Sequence, residues 1–472
     1  MPPLLLLEPA CESWSDLIAG RPEGGLLGHP LDEWRRETRR SLGLDTDRPL
    51  IATGHQTLLW HPGILVKYMV VEAMAASFGW ATANLVVDQH AGDFDDFDVP
   101  VRRQDGSLST RRIILTDAPP DVPMALHPSF IAPEPRPHRA AIESVRNGVD
   151  AIINAVNRHT EQPNAALQMA YALADLMRPR IRPMPNVTAS ALVETPLSRA
   201  LMHHMVDDPH ACAEAYNAAV RAVPEAGIGP LLIRDDYVEL PLWRIRDDKR
   251  RMHAYDNDVE RFLASPSEAP VLLPRALYMT ALLRLGMCDL FVHGTGGGAY
   301  DVAMEQWVRN WLGVETAPKV VASATLHLPL MDEPDPATAR HPDLAREAHE
   351  RSVEAHRVWH NPEPPPHPGP VKHELLQFIN RLPRGSLERR RAFFDMHDQL
   401  EAMRGSNPGR VELAQRRAIE AKARLADLEI AQRRDWAFPL YPKEALDELW
   451  AAVRKCTAEA ARANPAPPVQ TS

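Results

Sequence analysis

Pro49-Leu50-Ile51-Ala52-Thr53-Gly54-His55-Gln56-Thr57-Leu58-Leu59-Trp60-His61-Pro62-Gly63 is the stretch whose reading decides the fold. Its first five residues form a short apolar run ended by Gly54, which reads as a buried strand. Beyond Gly63, residues 64–78 carry apolar side chains on most faces and stop at Gly79, the pattern of a buried helix with a glycine terminus. Residues 83–88, Ala-Asn-Leu-Val-Val-Asp, read as a second buried strand. Strand, helix and strand in such quick succession make a βαβ unit, whose two strands lie parallel in one sheet.

Working outward, residues 119–226 are mostly helical, with helical spacing over 139–158, 164–177 and 196–222. Residues 231–234 and 238–245, split by Asp235-Asp236, resemble a hairpin. A helix over 274–285 leads to a strand over 289–293, a second glycine turn (Gly294-Thr295-Gly296-Gly297-Gly298), a helix over 299–311 and a further strand over 319–322. Prolines crowd 328–336 and 361–370, the composition of a linker or surface wrap. Beyond Ser386 the chain is helical again. Phe393, Met396, Leu400 and Met403, then Val411, Ala414, Ala418, Ala421, Leu425 and Leu428, keep a three-and-four spacing that predicts an antiparallel helical hairpin with coiled-coil packing. The expected class is therefore α/β. Residues 1–118 and 231–327 form a parallel-sheet core, 119–230 a helical insertion, 328–370 a proline-rich linker and 371–472 a helical coiled-coil region. The hairpin's length suits an intramolecular pair or a homodimer arm, and the spacing does not choose between them.

Of 472 residues, 44% are hydrophobic and 25% charged, the composition of an ordinary folded protein. The net charge of −10, spread along the chain, argues against a nucleic-acid partner, because phosphate binding needs a basic face. The run Lys249-Arg250-Arg251, like the other basic runs, reads as a solvated helix face or turn. Four scattered cysteines form no CxxC pair and suit a reducing compartment. No apolar stretch approaches the roughly 20 residues of a membrane helix, and the Leu4–Leu7 run is too short for a signal peptide. A cytoplasmic protein with no membrane partner is expected.

The chemistry concentrates at three strand ends. The Gly54–Gly63 turn delivers the chain to a helix N-terminus, where free N–H groups and the helix dipole attract an anion. His55 and His61 add groups that move protons or offset developing charge. The second strand ends in Asp88-Gln89-His90, followed by Asp93, and in a doubly wound sheet such ends converge on the ligand crevice. Asp88, His90 and Asp93 are candidates for base, orienting acid or hard-metal ligand, whereas Asp95, Asp96 and Asp98 read as a solvated acidic turn. His293 with Gly294, Thr295, Gly296, Gly297, Gly298 and Tyr300 repeats the strand–glycine–helix pattern. It is neither GxGxxG nor a Walker loop. No tight Cys/His zinc set and no GxSxG elbow is present, and no metal site is assigned.

Gly54-His55-Gln56, followed by Pro62-Gly63 and a helix, resembles the first motif of the bacillithiol biosynthesis cysteine-adding enzymes, which reads Gly-Gln-Gln-Pro-Gly and then Thr-Gly-Pro-Leu-Tyr. Asp88-Gln89-His90 with Asp93-Phe94 resembles that family's Glu-Asp-His-Asp-Phe. Phe291 to Tyr300 resembles its Gly-Pro-Gly-Glu-x-x-Tyr, preceded here as there by a helix with a Pro and an Arg, Pro274 and Arg275. The order is the same, and the likeness covers roughly residues 45–315. It implies a Rossmann-like core with helical connecting segments and a coiled-coil dimerisation arm. It further implies a ligase or group-transfer reaction that joins cysteine's carboxyl group to an amino-sugar conjugate, with room for a nucleotide (ATP or ADP) and Mg. The sequence departs from the family at His55 (a Gln there), Thr57 (a Pro), His61-Pro62-Gly63 (Thr-Gly-Pro) and Asp301 (an aromatic). The family's lysine falls on Met69, with Lys67 two residues earlier.

The leading expectation is an enzyme acting on a small anionic substrate, with Gly54, Gln56, Thr57, Gly63, Arg275 and the 293–298 turn holding the ligand and His55, His61, Asp88, His90 and Asp93 doing the chemistry. Two alternatives stay open. One is nucleotidyl transfer, whose His-x-Gly-His signature Gly54-His55 half matches. The other is a non-catalytic dimeric scaffold.

Overall fold

The computed structural model describes residues 4–92, 94–134, 139–178, 180–265, 269–331, 340–363, 368–406 and 408–464. The chain divides into two compact units, one formed by residues 1–99, 111–326 and 434–472, the other by 100–110 and 327–433.

The first unit is built on a six-stranded sheet: β1 (Leu4–Glu8), β2 (Leu50–His55), β3 (Ala81–Val86), β4 (Asn186–Thr188), β5 (Leu290–His293) and β6 (Lys319–Thr325). In space the order is β1-β6-β5-β2-β3-β4. All neighbours run parallel except β1, which pairs antiparallel with β6 at one edge. The class is thus α/β with a mostly parallel central sheet. β2 and β3 are connected by helix α1 (Pro62–Phe78), the βαβ unit expected from residues 49–88.

Helix α1 shows why local sequence and burial agree here. Pro62 occupies its first turn, where the missing N–H costs nothing, and Gly79 ends it at φ 69°, a conformation that favours glycine. Apolar residues run all around it because it is covered on two sides, by β6 and by helix α3 (Lys443–Ala463). Between them, helix α2 (Gly298–Leu312) connects β5 to β6. At the opposite end of the sheet from the strand C-termini, Asp289 accepts from Arg39 at 2.6 Å and from the Leu50 amide at 2.7 Å, fixing the starts of β5 and β2 together.

Three expectations are revised in the first unit. The helix foreseen over 196–222 is two, Pro196–Asp207 and Pro209–Ala222. Pro209 cannot continue the first ladder, and Asp208 caps the second helix at the Ala211 amide. The hairpin of 231–234 with 238–245 reduces to a single bridge, Ile233 with Val238. Strand Glu239–Ile245 pairs instead with Arg251–Tyr255 and with Leu272–Pro274, in a three-stranded antiparallel sheet. Third, residues 434–464, placed by sequence in the helical C-terminal region, belong to the first unit.

In the second unit, helix Leu387–Ser406 buries Ala392, Met396 and Leu400 against Ile379 of helix Pro370–Arg381. Helix Pro408–Ala431 sets Val411 and Ala414 against Val358 of helix His341–His360. The expected hairpin would pair Leu387–Ser406 with Pro408–Ala431; each instead packs chiefly on an earlier helix, and Phe393 is left exposed. Part of the proline-rich linker, residues 332–339 and 364–367, lies outside the described residues. Among the described residues no helix is long and apolar enough to cross a membrane.

Candidate functional site

β2 and β5 are neighbours, yet the chain leaves them in opposite directions, from β2 toward β3 and from β5 toward β6. Diverging connections of this kind open a crevice beyond the strands' C-terminal ends. A cleft of about 1230 Å³ lies there, inside the first unit. From the first sequence motif it is lined by Gly54, His55, Gln56, His61 and Gly63; from the second, by Gln89 and His90. The third contributes His293, Gly294, Thr295, Gly296, Gly297 and Tyr300, and Arg275 lines it as well.

Other predicted residues are placed elsewhere. Thr57 is buried with its hydroxyl on the Met124 sulfur, and Gly298 is not part of the lining. Asp88 is buried behind the cleft, where its carboxylate accepts from the Ser190 hydroxyl and, at 2.9 Å, from the Ser190 amide. Burial pushes Asp88 up to about 6 against those hydrogen bonds. Asp93 lies outside the described residues.

Two glycines are dictated by close approach. A Cβ on Gly54 would fall 2.5 Å from Leu85 Cβ and 2.6 Å from the Leu85 carbonyl oxygen, so a side chain there would push β3 away. A Cβ on Gly297 would fall 2.0 Å from His293 Nδ1; the histidine ring lies directly against the second turn.

The histidines of the first turn are neutral groups. His61 Nδ1 accepts the Gly63 amide at 3.1 Å and caps α1, so the neutral ring carries its proton on Nε2. Burial lowers its pKa; Asp435 opposes this, while Arg434 and Lys67 reinforce it. His55 donates from Nδ1 to the Gln56 carbonyl at 3.2 Å, and burial, with Lys67 adding to it, pushes it down to about 3. A ring so hard to protonate offers hydrogen bonds rather than positive charge, and it is a weak general base.

The positive charge comes from a residue outside the predicted set. Lys67, one turn into α1 and 2% exposed, donates from Nζ to the Gly54 carbonyl at 2.8 Å. Burial alone pushes it down to about 7. Among the described residues no carboxylate stands within ion-pair distance of it. Its sequence signal was the family lysine expected at Met69, two positions along the same helix.

At the end of β5 the charges are satisfied. His293 Nε2 lies 3.0 Å from Asp301 Oδ2, in ion-pair range though off the line of a well-aligned hydrogen bond. Asp301, fully buried on α2, also takes Arg284 Nη1 at 3.1 Å and has Lys319 at 3.9 Å. Burial raises its pKa, but His293, Arg284 and Lys319 together outweigh that and hold it below the usual carboxylate range. Arg284 is carried by a π-helical turn, Leu283–Met287, and reaches Glu305 at 2.7 Å as well.

The remaining wall comes from the three-stranded sheet. Trp243 has the Arg275 guanidinium 4.8 Å and the Arg251 guanidinium 5.1 Å from its ring centre. Arg275 is paired with the buried Glu239 carboxylate. Among the described residues no group of three or more His, Cys, Asp or Glu side chains is placed to hold a metal ion. No protein-family model matches the chain, and no curated protein matches its sequence significantly.

Proposed function

We propose that the chain is an enzyme that seats a small anionic substrate on Lys67 and carries out ligation or group transfer at the C-terminal ends of β2, β3 and β5. The observation that carries this reading is the buried Lys67 ammonium, which lines the cleft and has a carbonyl but, among the described residues, no carboxylate within ion-pair distance. An unpaired buried charge is costly. A bound anion would offset that cost and restore a fully protonated lysine. In this reading the substrate's oxyanion meets Lys67, and the neutral His55 and His61 orient it by hydrogen bonds. His90 and the Lys67 amine are the groups at hand to exchange a proton with an attacking nucleophile, while Asp88 braces the second strand through Ser190. The resemblance to the cysteine-adding enzymes supplies the reaction class: an amine of one substrate attacks the carboxyl carbon of another, that carboxyl oxygen leaves with a phosphoryl or nucleotidyl group drawn from a nucleoside triphosphate co-substrate, and the amine's proton passes to His90 or Lys67. A Rossmann-like core, a dimerising coiled-coil arm and a cytoplasmic location belong to the same proposal.

The test is calorimetry on the full chain with inorganic phosphate, cysteine, and ATP or CTP with Mg. At least one of these anions should bind, and Lys67→Met should weaken it roughly tenfold or more, as loss of a charge-assisted contact does, without lowering the melting temperature. Unchanged binding by Lys67→Met overturns the reading. Nucleotide binding that depends on Mg and survives Lys67→Met favours nucleotidyl transfer.

A further inference from the structure

We infer that the cleft contains a second oxyanion subsite, built on Arg251, Trp243 and Gln89, so that its ligand carries negative charge at two ends. The inference rests on the reading of Lys67 as the first anchor, and deepens it.

The two arginines on Trp243 are not equivalent. Arg275 is neutralised by Glu239, which also stands 3.1 Å from His253 Nδ1 and accepts the Leu232 amide at 3.0 Å, so this carboxylate is fully engaged. Arg251 has no such partner. It donates from Nη1 to the Gln89 carbonyl at 2.9 Å, and among the described residues no carboxylate comes within ion-pair distance. The acidic group whose charge it feels is Asp121, which is exposed and lies 4.0 Å from Arg250 instead. A guanidinium has five N–H donors in a planar fork, and among the described residues four of these have no acceptor. The ring of Trp243 holds the fork in place while leaving its edge available.

Gln89 supplies the second, independent observation. It is 5% exposed and lines the cleft, with its Nε2 on the Met279 sulfur at 3.0 Å. Among the described residues its buried Oε1 has no hydrogen-bond partner, a situation folded proteins avoid unless something else fills the place. A planar donor fork and an orphaned acceptor carried by residues that line the same cleft fit an oxyanion, carboxylate or phosphate, with an N–H or O–H elsewhere on the same ligand. The volume agrees. About 1230 Å³ is more than a single small anion on Lys67 would fill.

The experiment compares one-ended with two-ended probes on the full chain. Calorimetry with inorganic phosphate and acetate gives the one-ended baseline. The α,ω-dicarboxylates from malonate to adipate, phosphonoacetate and pyrophosphate give the two-ended set. The best two-ended probe should bind about tenfold or more tighter than its one-ended counterpart, the worth of one charge-assisted pair. Arg251→Met should erase that advantage and leave phosphate and acetate binding unchanged. Lys67→Met should weaken both sets. The probe hit hardest by Arg251→Met tells a carboxylate end from a phosphate end. If Arg251→Met lowers the melting temperature by more than a few degrees, Gln89→Leu replaces it, removing the acceptor at nearly constant shape with the same expected loss. No advantage for any two-ended probe, or an advantage untouched by Arg251→Met and Gln89→Leu, overturns the second subsite. Lys67→Met without effect on phosphate or acetate overturns instead the reading of the first anchor.

Discussion

The turn after β2 and the turn after β5 have the same plan, strand, glycine, helix, and opposite electrostatics. After β5, His293 stands against a fully buried Asp301 that is itself held by Arg284, with Glu305 and Lys319 completing the set. After β2, two histidines are kept neutral by burial and Lys67 is enclosed with no carboxylate among the described residues in ion-pair range. One turn is braced and the other is left incomplete. Glycine spacing does not tell them apart; the presence or absence of counter-charges does, and an enclosed charge without its complement is where a ligand has the most to contribute.

The largest effect that would break this contrast is expected at the braced turn. Arg284→Met strips Asp301 of its guanidinium partner inside a dry environment, and breaking a buried pair in this way costs about 3–5 kcal/mol. Urea unfolding should show that loss. A change below about 1 kcal/mol would mean that Lys319 and His293 hold Asp301 without help.

At the incomplete turn the same kind of substitution should act in the opposite direction. Lys67→Met removes a buried ammonium whose partner is a carbonyl, so stability near neutral pH should hold or rise by about 1–3 kcal/mol. The pH dependence has a definite sign. Between about 7 and the ordinary lysine value of 10.5 the folded chain has released this proton while the unfolded chain keeps it, so wild-type stability climbs with pH across that window. The advantage of Lys67→Met should be greatest at or below pH 7 and vanish toward pH 10.5. A difference that stays flat across the window would show that Lys67 is charged and satisfied in the free protein.

The smallest contrast separates two glycines. Gly54→Ala places a methyl on the backbone of β3 and should cost roughly 1–3 kcal/mol, as overpacking does. Gly296→Ala, whose Cβ meets nothing within 4 Å, should stay within about 0.5 kcal/mol. Equal costs at both sites would mean that backbone freedom, rather than the close approach of β3, is what glycine supplies at 54.

The central βαβ unit was legible in residues 49–88 because its signals are local: an apolar run, a helix apolar all round, and glycines at the breaks. The positions of His55, His61 and His90 around one cleft follow from the same logic, since parallel strands bring their C-terminal ends together. What was not legible depends on partners far along the chain. Lys67 reads as one polar interruption of an apolar helix until Gly54 and the cleft are placed beside it. Asp301 looked like a departure from a family pattern, and its role is set by Arg284 and His293. Arg251 sat in a charge run that reads as a solvated turn, but pairing with Glu239–Ile245 carries it to the Trp243 ring. Asp88 carried the right residue type at a strand end, and was claimed by Ser190, a residue about a hundred positions away.

The cover over helix α1 bears on how the protein comes into being. Lys67 and the first turn leave the ribosome early, whereas Phe438, whose amide bonds the Trp60 carbonyl, and α3, which packs on α1, are made roughly 370 residues later, on the order of twenty seconds to a minute at ~5–20 residues per second. Through that interval the apolar outer side of α1 awaits its cover. A chain interrupted before residue 434 would leave α1 uncovered behind the cleft's first turn, a form open to chaperones and proteases, so a complete site also certifies that translation has passed this point.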